Sequence, residues 1–132
     1  SFGQPEIVLG VFPPAAVVLL PAKLPAALAA QVIYSGDPIS AAEAERCGFV
    51  TRLAPDDAVD HVAGDVADRI ARHSAAALRA TKRALRGPGA DARRVALRQA
   101  GHAYLHDLME THDAVEGLRA FAEKRQPTWS HA

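Results

Sequence analysis

Residues Phe2 to Leu9 read FGQPEIVL and set a single carboxylate, Glu6, between Pro5 and the apolar run Ile7, Val8 and Leu9. Pro5 fixes its own φ and pushes Gln4 toward an extended conformation, so the backbone around Glu6 is held before any tertiary contact forms. An apolar surround disfavours an ionised carboxylate, which suits a group that takes and returns a proton near neutral pH. Glu6 is therefore a candidate general acid/base. The alternative on spacing alone is a structural carboxylate or a turn residue. Glu6 to Leu9 also reads as a short strand, ended by Gly10.

Beyond Gly10 the chain reads as helices. Pro13 and Pro14 open a helix through Leu20, since proline is tolerated in the first turn, and Ala15 to Leu20 is apolar on every side, which predicts burial in the fold or in an interface. A second helix is expected from Pro25 to Tyr34, stopping at Gly36. Ser40 followed by Glu43 matches a capping box and Gly48 a C-terminal stop, which predicts a short helix from Ser40 to Cys47. Phe49 to Leu53 alternates apolar and polar side chains and reads as a strand. After Pro55, the acidic pair Asp56 and Asp57 complements a helix N-terminus, and Val59, Val62, Ala63, Val66, Ala67 and Ile70 form one apolar stripe. Ser74 caps a helix to Arg86, broken by Gly87, Pro88 and Gly89. Asp91 to Met109 is a longer helix with Leu97, Gly101, Tyr104, Leu105 and Leu108 on one face. A last helix starts at Thr111 or His112, runs to Arg125 and packs through Val115, Leu118 and Phe121.

Composition excludes several classes. Lys plus Arg and Asp plus Glu are 15 each, so the formal net charge is zero and no overall field recruits nucleic acid or an acidic membrane surface. Alanine is the largest contributor to the hydrophobic fraction of 49%, with 5% aromatics, which favours close-packed helices over a large aromatic core. Pro21 and Lys23 interrupt the longest apolar run before the roughly 18 residues a membrane span needs. No charged n-region precedes an apolar h-region, and the single Cys47 fits a reducing compartment, so a cytoplasmic setting is expected.

Other side-chain groups have a plain reading beside a functional one. Arg79, Lys82, Arg83 and Arg86 recur at i, i+3, i+4 and i+7, a basic stripe suited to phosphates or to a solvated helix face. His102 and His106 share a helix face, yet the residues between them lack the glutamate of a zinc-protease motif and no third ligand stands at diagnostic spacing. No metal site is expected.

Three segments in register, FGQPEIVLG from Phe2, SGDPISAAEAERCGFV from Ser35 to Val50 and EGLRAFAEKRQPTW from Glu116 to Trp129, resemble the crotonase superfamily, the enoyl-CoA hydratases and isomerases. Their order and spacing match the second half of that family's domain. The resemblance implies an α/β fold, a spiral of ββα turns of which these 132 residues are the mostly helical C-terminal half. Residues 1–132 then form one partial domain, with 1–53 the end of the spiral core and 54–132 the helical C-terminal region. It also implies an acyl-CoA thioester substrate, no separate cofactor because coenzyme A belongs to the substrate, and assembly as trimers or hexamers or with a chain supplying the N-terminal half.

In the family's reaction, water adds to the β-carbon of an α,β-unsaturated thioester while two backbone amides stabilise the charge developing on the thioester oxygen. Glu6 matches the second of the family's two glutamates. The first glutamate and the amides lie in the other half, so the 132 residues alone are expected to be inactive. Phe121 and Lys124 match an element that packs near the CoA nucleotide, ring toward adenine and amine toward phosphate; helix core and surface charge are the plain alternatives. After Leu9 the sequence departs from the usual glycine-rich turn. Phe12, Pro13 and Pro14 stand there instead, are similar to the cyclohexadiene-carbonyl-CoA hydratase branch, and are expected to shape the site for a bulky or cyclic dienoyl group. An ordinary enoyl-CoA hydratase, a double-bond isomerase and a non-catalytic assembly half are the other readings.

Overall fold

The computed structural model describes residues 1–87 and 89–131. Pro5 stands at the first position of a 3₁₀ helix, Pro5–Leu9, and Gly10 ends it at φ +70°, its N–H donating to the Ile7 carbonyl at 3.0 Å. The strand expected from Glu6 to Leu9 is therefore a helical turn. A proline whose φ suits a first helical position and a glycine free to turn left-handed bracket five residues that have no strand partner beside them.

Helix α1 (Pro14–Leu19) follows, with Pro14 at its first position as expected. Its all-round apolar surface is only partly covered: Ala16 is buried, while Ala15 and Leu19 are exposed. Helix α2 (Ala26–Ser35) stops at Gly36 and buries Ala29, Val32 and Ile33. Helix α3 (Ala41–Arg46) has the expected capping box, with the Glu43 N–H donating to Ser40 Oγ at 3.1 Å and the Ser40 N–H donating to Glu43 Oε2 at 2.8 Å. Leu24, Ala29, Val32, Ile39 and Ala44 form the main buried cluster.

The second expected strand, Phe49 to Leu53, is also absent. The Phe49 and Val50 N–H groups both donate to the Ala44 carbonyl, closing α3, and the Leu53 N–H donates to the Glu45 carboxylate. Alternation alone makes no strand without a partner edge. Among the described residues the β pairing is a single bridge between Phe2 and Ile39, which exchange hydrogen bonds of 2.9 and 2.8 Å.

From Asp56 to Ala122 the described residues are mostly helical. A 3₁₀ turn at Asp56–Ala58 leads into α4 (Val59–Ala71), followed by α5 (Ala75–Arg86), α6 (Ala90–His102) and α7 (His112–Ala122). Ser74 caps α5 and Thr111 caps α7 through their side-chain oxygens. Gly87 ends α5; Pro88, part of the expected breaker, lies outside the described residues. None of α4, α5 or α6 buries a residue completely. Val62 and Val66 of the α4 stripe are half-buried, and Val59 and Ile70 are exposed.

Two helices depart from their expected course. The long helix from Asp91 widens into a π-helix at Ala103–Leu108, where the Met109 N–H donates to the Tyr104 carbonyl five residues back. That extra residue in the turn leaves Leu105 exposed and Tyr104 half-buried. Helix α7 ends at Ala122 rather than Arg125, because Lys124 turns to φ +54°. Its buried face is Ala114, Glu116, Gly117 and Ala120, whereas Val115, Leu118 and Phe121, expected inside, are exposed. At Gly117 that face packs directly against the Leu9 backbone.

Candidate active site

Glu6 is the second residue of the 3₁₀ turn and is half-buried. Its Oε2 is shut off from solvent and has no hydrogen-bond partner among the described residues. Native structures pair nearly all buried polar atoms, because an unpaired one gives up its hydration without return. An unpaired carboxylate oxygen at this position is accordingly a group to explain.

The turn that carries Glu6 is held by α2 on one side and α7 on the other. A Cβ on Gly117 would run into the Leu9 carbonyl oxygen, so glycine alone allows α7 to lie this close. A Cβ on Gly10 would stand 2.9 Å from both the Asp113 carbonyl oxygen and Trp129 Cζ3. The indole therefore closes over the end of the turn.

Two carboxylates of α7 fasten the segment that brings Trp129 there. Glu116, only 8% exposed, accepts from Arg125 Nη1 and Nη2 at 2.5 and 2.9 Å and from the Thr128 N–H at 3.0 Å. The Arg125 hydrogen bonds, then that of Thr128, hold its pKa down to about 2. Asp113 accepts from the Ser130 N–H and hydroxyl, each at 2.7 Å, and from the His131 N–H at 2.8 Å. The Ser130 N–H is the largest cause of a pKa likewise held to about 2. Arg125 also donates to Glu123 at 2.6 Å.

Directly after Gly10 the chain enters an apolar hollow of about 550 Å³, lined by Ile7, Phe12, Val17, Pro21, Ile33 and Tyr34 among others. The Phe12 ring meets Tyr104 of the π-helix edge to face, with centroids 5.6 Å apart. Pro13 is buried, and Pro14 occupies a helical position where its missing N–H breaks no helical bond. Glu6, Phe12, Pro13 and Pro14 thus occupy one continuous segment, and Ile7 beside Glu6 shares the hollow with Phe12. Phe121, in the last turn of α7, and Lys124, just beyond it, are both exposed, and neither lines that hollow. His102 and His106 bring their rings to 4.5 Å; among the described residues no three His, Cys, Asp or Glu side chains gather to hold a metal.

Tyr104, Gly117, Trp129 and the carboxylates Asp113 and Glu116 were not legible as parts of this site. Gly117 carried the one usable signal, since a glycine inside a helix is costly unless a close approach requires it. Nothing in the nine-residue separation of Glu116 and Arg125 announces a bidentate pair.

The family model described as enoyl-CoA hydratase/isomerase matches residues 1–132, and the chain belongs to that family. Its helices are those of the C-terminal half of the crotonase fold. The cyclohexa-1,5-dienecarbonyl-CoA hydratase of Thauera aromatica is 43% identical over 131 residues, covering 99% of this chain and 50% of the relative. The 2,3-dehydroadipyl-CoA hydratase of Escherichia coli (strain K12) is 39% identical, covering 96% and 49%. The crystal structure of carnitinyl-CoA hydratase from Mycobacterium avium superposes with a TM-score of 0.82 at 30% identity, covering 99% of this chain and 51% of that one. The chain spans about half the length of the curated relatives it matches. No helix among the described residues is long and apolar enough to cross a membrane.

Proposed function

We propose that Glu6 is a proton-transferring carboxylate in a hydratase that adds water across the α,β double bond of an acyl-CoA thioester. The observation that carries this reading is the buried, unpaired Oε2 of Glu6. An oxygen left without a donor is placed to accept from a reactant water once substrate and the rest of the site surround it. Glu6 then takes or returns a proton as water adds at the β-carbon and hydrogen at the α-carbon. Stabilising the enolate charge falls to groups outside these residues, and the 132-residue chain alone is inactive in this reading.

The hollow beside Ile7 and Phe12 supports a bulky acyl group, and the identity to the Thauera aromatica protein supports a cyclic dienoyl thioester. Phe121 and Lys124, both exposed, suit the adenine ring and a phosphate of coenzyme A. Coenzyme A enters as part of the substrate, the site uses no further cofactor, and the protein works in the cytoplasm as a trimer or hexamer.

The test is Glu6→Gln in the full-length protein, assayed with crotonyl-CoA and cyclohexa-1,5-diene-carbonyl-CoA. Gln keeps the shape and cannot exchange a proton, so kcat should fall by about 10² to 10⁴ with KM nearly unchanged. Thermal stability should not fall with it. A fully active variant of unchanged stability would falsify the assignment.

A further inference from the structure

Helix α5 carries Arg79, Lys82, Arg83 and Arg86 and no acidic residue, in a chain whose formal net charge is zero. Acids are sorted onto the preceding helix, where Asp60, Asp65 and Asp68 lie. The four cations line a hollow of about 450 Å³ whose remaining wall is Gly87 and Ala90, at the turn into α6. Neither wall residue has a side chain large enough to fill the space. Among the described residues none of the four side chains is engaged in an ion pair. Arg93 of α6 donates to the Arg86 carbonyl at 3.3 Å, which ties the start of α6 to the end of α5.

We propose that this hollow is a binding site for a polyphosphate group. Like charges three and four residues apart on one helix face repel one another, and an anion lying between them removes that repulsion. Guanidinium groups match phosphate oxygens with paired hydrogen bonds, and lysine adds a point charge. From position 79 to position 86 the cations extend about 10 Å along the helix axis, so a chain of linked phosphates meets more of them than a single phosphate does. The site is separate from Glu6; a free polyphosphate ligand is independent of the hydratase reading, whereas coenzyme A as the source rests on it and would seat the nucleotide here in place of Phe121 and Lys124. Two sources supply this chemistry: a free polyphosphate metabolite, or the nucleotide end of coenzyme A.

Calorimetric titration of the full-length protein with inorganic triphosphate, pyrophosphate, coenzyme A and pantetheine tests the proposal. Triphosphate should bind, more weakly as salt is raised. The double variant Lys82→Gln/Arg83→Gln should lose at least about tenfold in triphosphate affinity, at unchanged melting temperature because both side chains are exposed. Arg69→Gln/Arg72→Gln, at the end of α4, should bind as the parent does. If coenzyme A weakens with triphosphate in the α5 variant while pantetheine is unaffected, the nucleotide end is the source. If only the inorganic polyphosphates weaken, a free metabolite is. Absence of triphosphate binding by the parent protein, or equal affinity in the α5 variant, overturns the site.

Discussion

Gly10 is the residue on which the position of Glu6 most directly depends. It stands at φ +70°, and an added Cβ would press on the Asp113 carbonyl and the Trp129 ring at 2.9 Å. Gly48 has a similar φ of +77° with nothing within 4 Å of an added Cβ, so the two glycines separate backbone strain from collision. Gly48→Ala should cost only the strain, about 1 kcal/mol. Gly10→Ala should cost more, about 2–4 kcal/mol, because ring and backbone must also move. Denaturant midpoints of the two variants measure the difference. Equal losses would show that Trp129 does not press on the turn.

At the scale of elements, α7 and the segment after it act as a clamp whose strength depends on pH. The carboxyls of Asp113 and Glu116 are lowered from ordinary values of 3.8 and 4.5 to about 2, by the Ser130 hydrogen bonds and by Arg125 respectively. His112 lies beside Asp113 at 3.5 Å, and Arg119 adds a smaller pull on Glu116. A depressed carboxyl contributes stability in full above its unfolded pKa and loses it as pH falls through its folded one. The clamp should therefore hold above pH about 5 and weaken progressively toward pH about 2. Melting temperatures over that range should fall, and Trp129 fluorescence should report release of the indole. In Asp113→Asn/Glu116→Gln the acid-dependent loss should be smaller and the starting stability lower. An acid limb unchanged in that variant would place the titration elsewhere.

Across the whole molecule, burial is uneven. The main cluster lies between Leu24 and Ala44, while α4, α5 and α6 bury nothing completely and leave Val59, Ile70, Leu85 and Val95 exposed, Leu85 at 79%. Apolar side chains at that density on three consecutive helices favour association. The 132-residue chain should sediment as a species heavier than a monomer over a range of concentrations. A clean monomer with cooperative unfolding would show that these faces need no cover.

Local signals determined much of this protein in advance. The helix starts at Pro14, Ser40, Ser74 and Thr111 and the stop at Gly36 depend on φ preferences and on side-chain oxygens only three residues from their donors, so the sequence alone specifies them. The segment that singles out Glu6 was legible for the same reason, through Pro5 and its apolar neighbours. Strand against turn at Glu6–Leu9 and at Phe49–Leu53 was not, because alternation becomes a strand only beside a partner edge. The buried face of α7 does not follow side-chain size: Val115, Leu118 and Phe121 are the larger apolar residues, yet the close approach of Gly117 to the Leu9 carbonyl and the pairing of Glu116 with Arg125 turn the other face inward. The pairing of Arg125 with Glu116, the cover of Trp129 over Gly10 and the unpaired state of Glu6 Oε2 join positions between nine and 119 residues apart. Such relations exist only once the backbone has closed on itself, so tertiary structure alone decided them.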